Sequence, residues 1–532
     1  MALPSTSKYD GLNLTTVTYT DNSTRNDEWQ LFEDVIFEDV ALYVGDTSTS
    51  NINTDCPINL NRVTDYTYTV TSGADCVSVN SSTGVITALK SGTATVKATH
   101  KVMNVNYTFS VKVNKNAIII VPGILGSELF VGSGNPYFGQ GMPLFSKEIV
   151  NGLSTYQDGD TVQDLIPSNC WEFLNNLPSI VRLFNAWSDS MSCNDNGSSK
   201  YNVYVKEYRS SDLATRSNNH CGTGDAYLTL YDKLVSEYSD KYLVDLFSYD
   251  WRLSNAVSAS KLDDYIEYYN YDKVILIAHS MGGLVASGYL GLGESQRDKV
   301  EQVFYLASPL LGTPAVANIW YNEDISFVES AISNAFGISV KDFNRIYKTI
   351  TGIADPIQNL ICNYVSVYEL FPSEYYFQLT GSSYMSDSFT TIMIGGETSI
   401  MECSTYTATK DILTGYFDDF DPNLMAIAET FHDTTFIFGN HVSSYTDARY
   451  YHCLNTSVST ISHLKFYQVV SSTSYVTGLE VDGTTIYGDF LVLTTSSTLA
   501  NMYPTKCLSF QGNHMTLVMT TSIIDQWIQN IS

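Results

Sequence analysis

Positive charge is scarce in this sequence: 28 lysines and arginines stand against 56 aspartates and glutamates, a formal net charge of −28 over 532 residues. Phosphate backbones and anionic lipid surfaces are recognised by dense Lys and Arg, so nucleic acid is excluded as a partner and steady attraction to anionic membranes is not expected. Long apolar runs are missing too. None reaches the roughly 18 residues needed to span a bilayer, and the nearest, Val274 to Leu292, is interrupted by His279, Ser280 and several glycines. No glycine-rich phosphate loop or dinucleotide fingerprint occurs. The nine cysteines (56, 76, 170, 193, 221, 362, 403, 453 and 507) include no C-x-x-C pair, which removes the zinc ribbon and the redox dithiol. An odd count leaves at least one thiol unpaired. Met1-Ala2-Leu3-Pro4 has neither a charged n-region nor an apolar h-region, so an export signal is expected to have been trimmed from the chain.

What remains is a folded, secreted or cell-surface protein: 44% of residues are hydrophobic and 16% charged, a balance that supports cores. The length calls for more than one domain. Residues 1–35 are mostly polar and read as a leader or linker. From 36 to 116 the chain is rich in Thr, Ser and Val, with period-two alternation at 67–71 and 107–113 and turn signals every ten residues or so. That pattern predicts a small all-β sandwich. The stretch V-S-V-N-S-S-T-G-V-I-T-A-L-K-S-G-T-A-T-V-K-A-T at 77–99 resembles the group 2 bacterial immunoglobulin-like domains. The resemblance implies an extracytoplasmic address and a spacer, with attachment at the cell surface as a further use.

At Asn116 the texture changes. Continuous apolar runs at 117–121, 242–247, 274–277, 303–306 and 391–394 predict strands buried on both faces of a parallel sheet. Helical patterns at 228–238 and 262–269 lie between them, and Ile523, Ile524, Trp527, Ile528 and Ile531 share one face of a closing helix. Strands alternating with helices mean an α/β fold.

The strongest chemical signal follows the strand at 274–277. Ala278-His279-Ser280-Met281-Gly282-Gly283 is a nucleophile elbow, G-x-S-x-G with alanine in the first glycine place. Small neighbours are required there because strand and helix nearly touch at the serine. The helix beyond it presents free N–H groups to developing negative charge. A serine elbow needs a base and an acid, and in the α/β-hydrolase chain order these follow as Asp or Glu, then His. Five histidines follow Ser280: His432, His441, His452, His463 and His514. His514, in a loop shortly before the last helix, stands where the base belongs, and His279 reads as a packing residue. Asp489, in Gly488-Asp489-Phe490, is the expected acid, with Asp482 as its rival. Its task would be to hold His514 in one tautomer and stabilise the imidazolium. The loop Val121-Pro122-Gly123-Ile124 is expected to turn the Ile124 N–H toward the substrate oxygen, with the Met281 N–H as the second oxyanion donor. Asp158-Gly159-Asp160 with Asp164 has too few ligands for calcium and reads as a solvated turn. No metal or organic cofactor is called for.

Four segments together resemble the lecithin:cholesterol acyltransferase and lysosomal phospholipase A2 group of α/β-hydrolases. They are V-P-G-I-L-G-S-E-L at 121–129, Y-D-W-R at 249–252, A-S-P-L-L-G-T at 307–313 and Y-E-L-F-P-S at 368–373. The resemblance covers about 117–532. It implies an α/β-hydrolase domain with a lid at about 131–200 and a cap at about 315–460, and acyl transfer from a lipid or other hydrophobic ester through a serine acyl-enzyme. Ala278, Phe490 and Leu493 depart from its usual pattern. Asp250, Trp251 and Arg252 read as a brace at a strand end. A lipase, esterase or phospholipase is the leading expectation. O-acyl transfer to an alcohol is the alternative within the enzyme class, and a surface adhesin on an idle hydrolase scaffold is the alternative outside it.

Overall fold

The computed structural model describes residues 35–54, 62–145, 181–209, 222–313, 340–351, 356–380, 391–400, 405–435, 465–475, 486–488, 494–497 and 507–531, with single-residue or two-residue breaks in some of these and a few short pieces besides. The chain separates into two compact units. One comprises Met1–Asn116 with Tyr238–Leu243 and Asn270–Asp272, and the other comprises the remainder.

The first unit is mainly β among its described residues, with one 3-10 turn at Val63–Asp65. A four-stranded sheet is built on Gly92–His100, which pairs antiparallel with Asn106–Asn114 and with Tyr66–Ser72. Ala94, Val96 and Ala98 point inward from one strand and Phe109, Val111 and Val113 from the next, while the intervening residues stay wetter. This is the period-two pattern that half-buried strands require. Val17–Thr18 pairs with Thr24–Arg25 as a short ribbon. A three-stranded sheet (Thr47–Ser48, Ile86–Ala88, Val77–Val79) and a two-stranded one (Val35–Phe37, Ile52–Thr54) join the four-stranded sheet. Their inner faces supply Val35, Phe37, Val77 and Ile86 to the same core.

The second unit is an α/β fold built on one seven-stranded sheet. Its seven strands are β1 (Asn116–Val121), β2 (Tyr208–Arg209), β3 (Leu243–Leu246), β4 (Lys273–His279), β5 (Val300–Leu306), β6 (Lys465–Ser471) and β7 (Cys507–Phe510), in the spatial order β2-β3-β1-β4-β5-β6-β7. From β4 to β7 successive neighbours are parallel, whereas β2 runs antiparallel to β3. Every residue of β1 is buried, as are the last six of β4. Apart from Asn116 and His279 at their ends, those runs are apolar because both faces are covered. Among the helices are α1 (Leu228–Tyr238), α2 (Asn255–Tyr268) and α3 (Gly282–Leu292). Residues 282–290 of α3 are buried, so the helix is apolar or small-residued on every side and shows almost no amphipathic pattern.

One predicted sheet strand is placed elsewhere. Thr391–Ile394 pairs antiparallel with Glu397–Ile400 as a separate two-stranded ribbon. The Gly395-Gly396 pair between them is the sequence signal for a hairpin, which a four-residue apolar run alone does not distinguish from a central strand. Asp489, Asp482 and the 158–164 turn lie outside the described residues, as do His441, His452 and His463. Cys76, Cys193, Cys362 and Cys507 are free thiols. Among the described residues no helix is long and apolar enough to cross a membrane.

Candidate active site

The site forms at the carboxyl ends of β1, β4 and β5, beside the point where the chain order of the strands breaks between β3, β1 and β4. Ligands of open α/β sheets bind at such switch points. Non-glycine residues with positive φ gather at the same ends: Leu125 after β1 (62°), Ser280 after β4 (54°) and Ala307 after β5 (49°). Each holds a conformation that costs about 1–3 kcal/mol and persists only where the surroundings enforce it.

Ser280 sits on the sharp turn from β4 into α3. Its N–H donates to the Leu306 carbonyl at 2.9 Å, and the Gly283 N–H donates to the Ser280 carbonyl at 2.9 Å. The fit of this turn against the β1 loop explains its small residues. A Cβ on Gly123 would lie 2.7 Å from the Ser280 Cβ, and a Cβ on Gly282 would lie 2.2 Å from the Val121 carbonyl oxygen.

Around the serine is a cavity of about 270 Å³. Ser280 and His514 both line it, together with Ile124, and the apolar wall includes Val316, Leu370 and Val492. The structure thus brings two of the predicted triad residues to one cavity, and with them the loop bearing Ile124. The Ser280 hydroxyl has no hydrogen bond to a described residue; catalytic contacts of this kind often tighten only when substrate arrives. The N–H groups of Ile124 and Met281 have no acceptor among the described residues, which leaves both available to a bound oxygen.

The Y-D-W-R segment braces this wall. Arg252 is fully buried and makes two hydrogen bonds to Asp250, Nε to Oδ1 at 2.9 Å and Nη2 to Oδ2 at 2.6 Å. It also donates to the Met191 carbonyl at 2.8 Å. Trp251 Nε1 donates to the Ser127 carbonyl at 3.0 Å and the Tyr249 hydroxyl to the Pro122 carbonyl at 2.7 Å, so the segment holds the β1 loop from behind.

Two further residues, Tyr227 and Glu369, carry no assignment from the sequence, and His279, expected only to pack, does more. Tyr227 and His279 line the cavity and are hydrogen-bonded to each other at 2.9 Å. Glu369, in Y-E-L-F-P-S, is fully buried and caps α2: the Ser254 hydroxyl donates to it at 2.5 Å, the Asn255 N–H at 2.6 Å and Asn255 Nδ2 at 2.7 Å. Its neighbour Leu370 lines the cavity, so the cap segment and the helix start are tied together at the site. A buried acid in that motif was the available signal.

Burial pushes the Glu369 carboxyl up to about 7, against the pull of the Ser254 and Asn255 hydrogen bonds. His432, whose Nε2 donates to the Glu369 carbonyl at 2.9 Å, is pushed down to about 4 by burial. The two oppose each other in stability. Glu369 holds its proton more tightly when folded, so its contribution falls as pH rises from 4.5 to about 7. His432 resists protonation when folded, so its contribution falls as pH drops from 6.5 to about 4. Glu369→Gln is therefore expected to steepen the loss of stability on acidification, and His432→Gln to steepen the loss as pH rises toward 7. Denaturant unfolding at about pH 5, 6 and 7 reads both slopes, and parallel profiles for all three proteins would refute the pairing.

Residues 223–387 match the family model for lecithin:cholesterol acyltransferase. The matched stretch contains the elbow, Y-D-W-R, A-S-P-L-L-G-T and Y-E-L-F-P-S. No curated protein matches the chain. Among solved structures, the mature lipase BlEst2 of Bacillus licheniformis is 13% identical over 57% of this chain and 84% of its own, with a TM-score of 0.29. Haloalkane dehalogenase DpaA from Paraglaciecola agarilytica NO2 is 10% identical over 58% of this chain and 80% of its own, with a TM-score of 0.27. The strained serine turn, and a family match that runs through it over residues 223–387, mark this chain as an ester-acting enzyme, a lipid ester hydrolase or acyltransferase, on an α/β-hydrolase fold.

Proposed function

We propose that the chain is a secreted serine acyl hydrolase that cleaves carboxylic esters of lipids, with Ser280 as nucleophile, His514 as general base and Asp489 as the acid that orients His514. The observation that carries the reading is the left-handed backbone of Ser280, which opens α3 beside a cavity that also takes in His514. A non-glycine residue is held in that conformation where a surrounding structure over-determines it, and a serine elbow is such a structure.

In the reaction so assigned, the Ser280 hydroxyl oxygen attacks the ester carbonyl carbon while its proton passes to His514. The carbonyl oxygen becomes an oxyanion and accepts from the Ile124 and Met281 N–H groups, each worth about 3–4 kcal/mol of transition-state stabilisation. Collapse breaks the bond to the alcohol, which leaves with the proton from His514. Water, activated by the same imidazole, then releases the acid and restores the serine. Ile124, Leu370 and Val492 offer the acyl chain an apolar bed. Residues 117–532 are proposed as the catalytic domain, with lid and cap at about 131–200 and 315–460. Residues 36–116 are proposed as an immunoglobulin-like spacer outside the cytoplasm.

A fluorophosphonate probe tests the nucleophile. The expected result is a single adduct on the tryptic peptide containing Ser280, lost in Ser280→Ala. An adduct elsewhere, or none, rejects the assignment and favours a binding role. A labelled phospholipid incubated with and without a lipophilic alcohol tests the acceptor: free fatty acid should dominate in both, and a dominant new ester would make the enzyme a transferase.

A further inference from the structure

His279 could have been any compact residue if its task were to fill space beside the serine. Instead both of its ring nitrogens are engaged. Nε2 lies 3.1 Å from the backbone carbonyl oxygen of His514, and Nδ1 lies 2.9 Å from the Tyr227 hydroxyl. That hydroxyl also accepts the Gly123 N–H at 2.8 Å. The rings pack accordingly, Tyr227 edge-on to His279 with centroids 5.7 Å apart and His514 tilted against it at 4.8 Å.

The directions of these bonds follow from what each group can do. A carbonyl oxygen only accepts, so Nε2 carries a hydrogen. A hydroxyl that accepts from an N–H has its own hydrogen to give, and His279 Nδ1 lies 2.9 Å away to accept it. The imidazole is then neutral, and its tautomer is set by the two partners. Every bond points the same way, from the Gly123 N–H through the Tyr227 O–H to Nδ1, and from Nε2–H to the His514 carbonyl. A ring so committed has no lone pair for the Ser280 proton, although it adjoins that residue.

We propose that Tyr227 and His279 form a positioning relay, which locks the loop carrying the Ile124 N–H and the backbone carrying the His514 imidazole to the elbow carrying Ser280. The relay deepens the assignment of Ser280 and His514 made above and rests on it. Its logic is preorganisation: the three parts come from distant segments, and a misplacement of about 1 Å in such a site costs on the order of 100-fold in rate. Tyr227 and His279 are assigned no part in the proton transfer or in holding the oxyanion, so they act through the groups they hold.

Two measurements test it. In steady-state kinetics, Tyr227→Phe is expected to lower kcat about 10- to 100-fold with little change in KM, because ring volume is kept and the hydrogen bonds alone are lost. His279→Gln, which can still donate toward the His514 carbonyl, should retain more activity than His279→Phe, which cannot. A folded Tyr227→Phe with wild-type kcat, or equal activity of the two His279 variants, overturns the relay. In the wild-type protein, nitrogen-15 NMR of labelled histidine should report His279 as the neutral Nε2–H tautomer; the Nδ1–H tautomer or an imidazolium at neutral pH overturns it even if the variants do not fold. Turnover surviving in Ser280→Ala would end the nucleophile assignment alone, since the tautomer is measured without catalysis.

Discussion

Ser280→Ala is expected to lower kcat on a p-nitrophenyl ester by about 10⁶-fold, and His514→Ala by about as much. That loss corresponds to about 8 kcal/mol of barrier, too large for a residue that only shapes a pocket and typical of a nucleophile or its base. The two should not add. Once the hydroxyl is gone, the imidazole has no proton to take, so the double variant should be no slower than either single one. Residual turnover of about 10³–10⁴ over water is expected from the oxyanion donors and binding alone. Initial rates under saturating ester, with each variant's fold checked by thermal melting, decide the matter. A single variant retaining a tenth of wild-type activity would remove that residue from the mechanism.

Gly282→Ala is expected to be the most damaging single methyl group at this site. The added carbon would lie 2.2 Å from the Val121 carbonyl oxygen and 2.6 Å from that of Pro122. Both are main-chain atoms of β1 and its loop, so no side-chain rotation relieves the clash and α3 has to back away from the sheet. Overpacking of this kind costs about 3 kcal/mol or more, and it also moves the Met281 N–H relative to the Ile124 N–H. A drop in unfolding free energy together with a roughly 100-fold fall in kcat is expected. Gly415→Ala supplies the contrast. It lies in the helix Tyr406–Tyr416 with open space where its Cβ would go, and should gain about 0.5–1 kcal/mol from helix propensity. Denaturant melts of the two variants test both signs, and a wild-type midpoint for Gly282→Ala would contradict the close approach.

The parts of this site that were legible in the sequence are those whose physical demand falls on neighbouring residues. A buried strand, a strained serine and a small-residue helix have to be contiguous, so 273–290 announced itself. Asp250 and Arg252 pair two residues apart, and the brace was readable for the same reason. His514 followed from chain order and from its place before the last helix. Tyr227, His279 and Glu369 were not legible as they stand in the structure, because each depends on partners 52 to 235 positions away, and one hydrogen-bonding side chain leaves no local pattern. Thr391–Ile394 was misplaced for a related reason: four apolar residues look alike in a central strand and in a hairpin, and only pairing partners tell them apart.

The 235-residue gap between His279 and the His514 carbonyl it holds has a consequence for biosynthesis. A ribosome completes the strand and helix around Ser280 long before it reaches His514, and the proposed relay cannot close until the segment around residue 514 has emerged. A nascent chain, or one clipped ahead of that segment, carries Ser280 without His514, so the ester cleavage proposed for the pair is withheld until translation has passed residue 514.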